Sequence, residues 1–241
     1  MQLFLSHLMG RLLRLLPKHR VINYHDMRAR FFVPINCHYV TDDLRDLDAA
    51  KREPQIYQWL NDIDDNAVYF DIGTSYGQEV SLVSSLLEKN ITVVGFDCSL
   101  YQSHFCALNK KLNDDRFRFI FAAVGNTTGE LVSITTNSDT HIPSLHPKNV
   151  PYQYDVMTIT LDDFAKRAKL KPTHIKIDID GAEFDALRGA ESLLKSRELK
   201  EIFVEIDNIN LGIIDYLAGF NFKVKWQFDK PLNKDVLFVR G

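Results

Sequence analysis

The fold is decided by the stretch Val68-Tyr-Phe-Asp-Ile-Gly-Thr-Ser-Tyr-Gly77. It is typical of a buried strand that carries a carboxylate and two glycines into the start of a helix, which is how α/β domains build nucleotide-type pockets. Asp71 stands where the dinucleotide fingerprint G-x-G-x-x-G needs its first glycine. The spacing therefore favours S-adenosylmethionine over NAD as a cofactor.

The residue types of this loop have physical reasons. Gly73 lets the backbone turn or a ligand approach, and Gly77 permits close packing where the helix begins. The helix N-terminus attracts the carboxylate of a methionine moiety, and Asp71 can hold its ammonium. We include the intervening Thr74 and Ser75 among the candidate cofactor-binding residues. An ordinary strand–turn–helix corner without a ligand is the alternative interpretation.

A second apolar strand, residues 91–97, ends in Asp97 about two dozen positions later. A carboxylate at the tip of the second strand can accept both hydroxyls of an adenosine ribose, so Asp97 is the ribose candidate. We add the adjacent Cys98, and Ala122 in the third predicted strand, to the candidate cofactor-binding residues. Helix capping by Asp97 is the alternative.

The order of elements predicts an α/β fold. Strands that alternate with helices imply a doubly wound, mostly parallel sheet, here of seven strands, and the chain ends in an antiparallel hairpin. One strand is expected to start at Val68, and others at residues 91–97, 117–124, 174–180, 201–207, 222–227 and 236–240, with shorter strands at 131–135 and 155–160. The main helices are expected at 101–112, 161–168 and around 211–218, with another after Gly181. Ligands bind beyond the carboxyl ends of such strands, where Asp71, Asp97, Asp178, Asp180 and Glu205 would gather.

Length and composition predict one core. The chain has 241 residues, of which 45% are hydrophobic, and we divide it into a helical or irregular extension (1–60) that packs on a cofactor-binding domain (61–241). Its three cysteines form no C-x-x-C pair, which predicts a reducing, cytoplasmic environment. The net charge of −3 argues against a nucleic-acid partner. Homo-oligomerisation stays open.

Residues 1–20 depart from this balance. Leucines surround Arg11 and Arg14, a pattern that indicates a basic amphipathic helix. The run is too short to span a bilayer and lacks the order of a secretory signal. Packing against the domain or a second subunit is the first interpretation, and peripheral contact with a membrane surface is the second.

Four motifs follow one another in the central part of the chain. They are Asp71-Ile-Gly-x-x-x-Gly77, Gly95-Phe-Asp97, Thr158-Ile-Thr-Leu-Asp-Asp163 and Lys176-Ile-Asp-Ile-Asp-Gly-Ala-Glu183. In this order they resemble the FkbM-like S-adenosylmethionine-dependent methyltransferases, over roughly residues 68–207. The chain departs from that family at Asp97-Cys98, where the family has Glu-Pro, and at Asp180, where it has Glu. The resemblance implies a class I, Rossmann-like methyltransferase that O-methylates a sugar, glycan or related natural product.

The fourth motif supplies the candidate catalytic residues. Alternate residues of a strand share a side, so Lys176, Asp178 and Asp180 are expected on one face, with the lysine paired to an acid. We assign Asp178 and Asp180 to orienting the acceptor or removing its proton, Lys176 to their electrostatic support, and Glu183 to the same group. Stabilisation of a helix dipole is the alternative for Glu183.

Several alternatives remain at this stage. Three acids near one strand tip could hold Mg²⁺, although our assignment of site residues includes no metal ligand. His141 and His146 lie on a proline-bearing loop that could close over the acceptor. The rival to an active enzyme is a cofactor-binding subunit of a glycan-assembly complex that has lost catalysis, which the shortened acids at Asp97 and Asp180 slightly favour.

Overall fold

The computed structural model describes residues 19–34, 37–136, 143–144, 152–207 and 212–241. The predicted amphipathic segment, apart from its last two residues, and the histidines at 141 and 146 lie outside these residues. Among the described helices, none combines the length and the apolar character needed to cross a bilayer.

The described elements alternate between strands and helices. In chain order the strands are β1 (His19–Tyr24), β2 (Met27–Phe32), β3 (Val68–Ile72), β4 (Thr92–Asp97), β5 (Arg118–Phe121), β6 (Ala123–Val124), β7 (Leu131–Thr136), β8 (Pro143–Ser144), β9 (Tyr152–Ile159), β10 (His174–Ile177), β11 (Glu201–Asp207), β12 (Phe222–Asp229) and β13 (Asn233–Arg240). The helices are α1 (His38–Asp48), α2 (Pro54–Asn61), α3 (Gln78–Val83), α4 (Leu100–Leu112), α5 (Leu161–Ala168), α6 (Glu183–Arg188), α7 (Glu191–Lys195) and α8 (Ile213–Ala218), and Leu87–Lys89 form a 3-10 turn.

The main sheet has seven strands in the order β12-β13-β11-β10-β3-β4-β5. Strands β11, β10, β3, β4 and β5 run parallel, while β13 is antiparallel to both of its neighbours. This confirms the predicted doubly wound α/β fold with its antiparallel C-terminal hairpin. Strands β1 and β2 form a separate hairpin, and β6, β9, β7 and β8 form a smaller sheet.

Each face of the main sheet carries its own apolar core. Tyr69 of β3 belongs to a cluster that includes residues of α1 to α4, whereas the adjacent Phe70 belongs to a cluster that includes residues of α5 to α8. Adjacent strand residues point to opposite faces, so the run of apolar residues in β3 serves both cores. The carboxyl ends of the parallel strands form one edge of the sheet, and the site lies at that edge.

Helix α5 was predicted with its bounds correct, because its start carries a local signal. The Thr160 hydroxyl accepts a hydrogen bond from the Asp163 backbone N–H, and Lys169 adopts a left-handed conformation at the other end. Strand β10, by contrast, ends at Ile177 rather than at Asp180. The backbone of Asp180 has a φ of 48°, which a strand cannot accommodate.

The N-terminal part of the chain contains structure that the sequence analysis did not identify. Residues 19–32 form the β1–β2 hairpin, in which Met27, Ala29 and Phe31 are buried and alternate with exposed Arg28 and Arg30. This strict alternation is a strand signal within the extension that was expected to be helical or irregular. The hairpin side chains join the same core cluster as α1 to α4.

Gly73 is the position where the fold tolerates a side chain least. Its φ is +85°, and a Cβ added there would lie 1.8 Å from the carbonyl oxygen of Asp178. Gly129 has a similar φ of +90°, but a Cβ there would meet nothing within 4 Å.

We predict that Gly129→Ala lowers the free energy of unfolding by about 1–2 kcal/mol, the cost of a left-handed alanine. Gly73→Ala should lower it by at least about 2 kcal/mol more, because the new methyl group overlaps the loop after β10. Urea unfolding of both variants measures the difference. Equal losses in the two variants would show that the β3 and β10 loops do not approach each other as closely as described.

Candidate functional site

A cavity of about 280 Å³ opens at the carboxyl ends of β3, β4 and β10. We divide residues of its wall into two sets. The first, called here the loop set, consists of Gly73, Ser75, Asp97, Cys98 and Ala122. The second, called here the charged set, consists of Arg52, Glu53, Lys176, Asp178, Asp180 and Glu205.

Asp97 organises the loop set. Its two carboxylate oxygens accept hydrogen bonds from the backbone N–H groups of Ser75, at 2.8 Å, and Ser99, at 2.7 Å. The carboxylate is 8% exposed, and burial raises its pKa to about 6 against the opposing effect of these N–H groups. Each oxygen keeps a second lone pair, so the carboxylate can still accept hydroxyl groups from a ligand. Sequence reasoning and structure thus place Asp97 at the same edge as the glycine loop.

Three residues of the cavity wall have a left-handed backbone conformation. Glu53, Ser75 and Asp180 have φ values of 37°, 52° and 48°, and all three residues line the cavity wall. A positive φ costs a residue with a Cβ about 1–2 kcal/mol, so each conformation persists only because its surroundings impose it. Strain of this kind gathers at functional sites, which supports a binding role for the cavity.

Lys176 carries the central positive charge of the charged set. Its side chain is 3% exposed, and its Nζ lies 3.0 Å from Asp178 Oδ2 and 3.6 Å from Asp71 Oδ1. Burial alone would lower the pKa of Lys176, but the two carboxylates raise it above its ordinary value, so the ammonium stays charged. In return, although burial opposes it, Lys176 holds the pKa of Asp178 below its ordinary value. The predicted pairing of Lys176 with an acid agrees with this geometry.

The strand register explains why these residues meet. Lys176 of β10 is the direct neighbour of Asp71 in β3, so both side chains rise from the same row of the sheet. Asp71 is completely buried, and burial raises its pKa to about 7 although Lys176 opposes the rise. Asp71 lies beneath the cavity and is not part of the lining. The ammonium beside it belongs to the chain's own Lys176, not to a ligand.

Three further predicted residues do not reach the cavity wall. Thr74 is fully buried next to Gly95, and a Cβ at Gly77 would lie 2.8 Å from Cys106 Sγ, so that glycine allows close helix packing. Glu183 is 1% exposed and its carboxylate accepts the Gly181 N–H at 2.9 Å, which braces the loop before α6.

The possible Mg²⁺ site has no support. Asp178, Asp180 and Glu183 do not converge, and within the described part of the chain the metal-like grouping of acids is Glu53, Glu205 and Asp235. Lys230 already places its ammonium within 2.8 Å of all three carboxylates. The acids therefore surround a lysine, and the cation-binding position in this group is taken by a side chain.

Sequence analysis missed the part of the wall that comes from the segment before α2. Tyr39, Arg52 and Glu53 line the cavity, and Arg52 pairs with Asp43. Gln78, at the start of α3, also lines it. No motif marks the positions before α2, which lie in the extension (1–60) that was expected to pack on the cofactor-binding domain. The local signal available was a proline that starts α2 directly after the charged run Lys51-Arg-Glu53.

Comparisons with known proteins agree with this architecture. The model of a family described as "Methyltransferase FkbM domain" matches residues 62–224, more than half of the chain. A search of curated proteins found no match.

Solved structures resemble this chain at low sequence identity, and one of them shares its fold with a TM-score above 0.5. Aeropyrum pernix fibrillarin, determined with natively bound S-adenosyl-L-methionine, is 9% identical with a TM-score of 0.51, over 92% of this chain and 82% of that chain. The ribosomal protein L11 methylase from Lactobacillus delbrueckii subsp. bulgaricus is 13% identical with a TM-score of 0.49, over 79% of both chains. At such identities the likeness concerns the fold alone.

The buried carboxylate of Asp71 gives stability a defined pH dependence. The pKa of Asp71 in the folded chain is about 7, above its ordinary value of 3.8. Its contribution to the free energy of unfolding is therefore fully present below about pH 4 and is lost as the pH rises through 7. We predict that the free energy of unfolding falls less from about pH 5 to about pH 8 in Asp71→Asn than in the unmodified chain. Thermal denaturation at both pH values measures this.

The exposed Asp229→Asn serves as the control, since its side chain lies on the open edge strand β12. It should follow the unmodified chain at both pH values. If Asp71→Asn keeps the pH dependence of the unmodified chain, the account of Asp71 as a buried and readily protonated acid is wrong.

Proposed function

The chain belongs to the FkbM methyltransferase family, as the resemblance of its motifs implied, and from this premise we propose that it transfers a methyl group from S-adenosylmethionine to a hydroxyl of a sugar, glycan or related natural product. The observation that carries this proposal is the shared cavity, in which the loop set built on Asp97 and the Lys176–Asp178 ion pair face the same space. A binding loop and a proton acceptor therefore lie within one site.

The loop set fits an adenosyl cofactor. Asp97 would accept the ribose hydroxyls, Cys98 and Ala122 would border the adenosine, and Gly73 and Ser75 would contact the rest of the molecule. Two buried side-chain oxygens of the lining, Ser75 Oγ and Gln78 Oε1, have no hydrogen-bond partner within the described residues. Buried polar groups normally have partners, so both atoms indicate a polar ligand. The cofactor supplies an electrophilic methyl group on its sulfonium.

Asp178 is the proposed general base. Methylation of a neutral hydroxyl releases its proton, and Asp178 is ionised, 30% exposed at its side chain and part of the lining. The Lys176 ammonium donates a hydrogen bond to the Asp178 carboxylate at 3.0 Å. Asp180 and Glu53 face the same space and can accept further hydroxyls, which fixes the acceptor in line for displacement.

The charged set favours a polyhydroxylated acceptor. Carboxylates accept hydrogen bonds from hydroxyl groups, and four lining carboxylates belong to this set, from Glu53, Asp178, Asp180 and Glu205. Arg52 of the same wall is already paired with Asp43 and Glu53. A hydroxyl-rich group is therefore a better partner for this wall than an anion.

A cofactor-binding subunit without catalysis is the second candidate function. The shortened acids Asp97 and Asp180 favour it, since both reach less far than glutamate. It differs from the first in one respect, because it would bind the cofactor without transferring the methyl group to any acceptor.

Cofactor binding tests the first half of the proposal. We expect isothermal titration to show binding of S-adenosylmethionine and S-adenosylhomocysteine but not of NAD. Asp97→Ala should weaken adenosyl binding by about tenfold or more, because a hydrogen-bonded pair with a charged group is lost. Asp178→Asn, in the same cavity, should bind like the unmodified chain. Preferential binding of NAD, or equal weakening in both variants, would contradict the division of roles.

Methyl transfer tests the second half. With radiolabelled S-adenosylmethionine and a panel of sugars and oligosaccharides, the unmodified chain should label a hydroxyl of at least one acceptor. Asp178→Asn should lower kcat by about 10²–10⁴-fold, the usual contribution of a general base, while circular dichroism stays unchanged. Cofactor binding without transfer to any acceptor would support the inactive-subunit alternative instead.

A further inference from the structure

A groove of about 750 Å³ is lined by residues of α2, β12 and β13, apart from the motifs that define the cavity. Three aromatic side chains, Trp59, Trp226 and Phe228, contribute to its wall. Trp59 is buried, Trp226 is half-buried and Phe228 is 52% exposed. The volume is typical of ligand-binding sites, which span roughly 300–1,000 Å³ and combine aromatic rings with a few polar groups.

Strand β11 connects this groove to the cavity. Glu201, Phe203 and Glu205 are alternate residues of the strand, so their side chains share one face of the sheet. Glu201 lines the groove, Glu205 lines the cavity, and Phe203 lies buried between them. At about 3.3 Å per residue, the two glutamates are about 13 Å apart along the strand. One extended ligand is therefore able to reach both sites.

The charged groups of the groove are satisfied within the protein. Lys200 pairs with Asp64 at 2.6 Å, and Lys225 pairs with Glu201 at 2.8 Å. The Arg240 guanidinium donates hydrogen bonds to three backbone carbonyl groups. A charged ligand would have to compete with these contacts, so a neutral ligand fits the groove better than an anion or a cation.

Three amide side chains give the groove hydrogen-bond acceptors. Gln58 Nε2 donates to Asp62 at 2.8 Å and Gln227 Nε2 donates to Asp229 at 2.7 Å, while Gln55 Nε2 donates to a third carboxylate at 3.2 Å. A carboxylate accepts hydrogen bonds and cannot donate them, so these contacts fix the orientation of each amide. The carbonyl oxygens are then the ends that can accept a hydroxyl group of a ligand.

The edge of β12 is unsuited to pairing with another strand. This strand ends the main sheet, Lys223 and Lys225 are exposed on it, and a bulge interrupts its register between Val224 and Trp226. Lysines and bulges at a sheet edge oppose the addition of a further strand. A peptide strand, or the same strand of a second copy, is therefore a less suitable occupant than a molecule with apolar faces and hydroxyl groups.

We propose that the groove binds sugar units of the acceptor beyond the one that is methylated, so that the acceptor is a neutral oligosaccharide or polysaccharide and not a single sugar. A sugar ring packs its apolar C–H face on aromatic side chains, and its hydroxyl groups donate to carbonyl oxygens. The inference rests on the proposed function of the cavity. It adds a binding site whose residues contact no reacting atom.

Tryptophan fluorescence tests the groove directly, because both tryptophans of the chain line it. We would titrate the full chain, without cofactor, with neutral oligosaccharides of glucose, mannose, galactose and N-acetylglucosamine, and with the corresponding monosaccharides. At least one oligosaccharide should shift the emission and bind about tenfold or more tightly than its own monosaccharide, because more of its surface contacts the protein.

Variants that keep both tryptophans locate the binding site. Phe228→Ala should weaken binding of that oligosaccharide by about tenfold, because an aromatic contact is lost. Val224→Ala is the matched control: it shortens another exposed apolar side chain of β12, one that does not line the groove, and it should bind like the unmodified chain. Gln58→Ala, on the exposed side of α2, keeps the test decisive if Phe228→Ala does not fold, and it should weaken binding by about threefold or more.

Three results would overturn the proposal. The first is an emission that no oligosaccharide of the panel shifts, and the second is binding no tighter than that of the monosaccharides. The third is equal binding by Val224→Ala and by the folded groove variants. Sedimentation of the unmodified chain provides a further check, since a dimer that Phe228→Ala abolishes, without any oligosaccharide binding, would assign the groove to a second copy.

Failure of this inference and failure of the proposed function are distinguishable. If the groove binds an oligosaccharide and no acceptor is methylated, the groove stands and the methyl-transfer proposal fails. In an active chain, Phe228→Ala should raise KM for the oligosaccharide and leave kcat unchanged. If methyl transfer depends on Asp178 but KM is the same for monosaccharide and oligosaccharide, and Phe228→Ala changes neither value, the groove proposal alone is wrong.

Discussion

The buried ammonium of Lys176 is the interaction on which the site depends. An unpaired charge at 3% exposure would cost several kcal/mol, and the ionised carboxylate of Asp178, 3.0 Å from Nζ, offsets that cost, while Asp71 lies 3.6 Å from the same Nζ. Removal of the Asp178 carboxylate would leave the Lys176 ammonium imperfectly paired in the interior. The floor of the cavity is therefore a single electrostatic unit, fixed by the register of β3 against β10.

The rest of the site is built on that floor. Gly73 allows the β3 loop to approach the carbonyl of Asp178, which brings the loop set and the charged set into one cavity. Asp97 ties the loop to the start of α4 through the Ser75 and Ser99 N–H groups. Glu53, Ser75 and Asp180 of the cavity wall have positive φ values, and the packing around them imposes conformations that the isolated chain would avoid.

Sequence alone was sufficient where the signal is local. Strand β11 and helix α5 have the predicted bounds, because an apolar run and a threonine cap mark them. It was insufficient where the decisive contact is long-range. Nothing near Lys230 in sequence indicates Glu53, 177 positions away, and Asp71 was expected to hold a ligand's ammonium before its neighbour in the sheet was known. Alternation placed Lys176 beside Asp178, although the strand ends between them.

A crystal structure of the chain with S-adenosylhomocysteine would test the central claim most directly. The account predicts ribose hydroxyls within hydrogen-bond distance of the Asp97 carboxylate, and a sulfur atom whose missing methyl group would point toward the space in front of Asp178. A ligand bound elsewhere, or a sulfur that faces away from Asp178 and Lys176, would contradict the claim that one cavity unites the cofactor loop with the base.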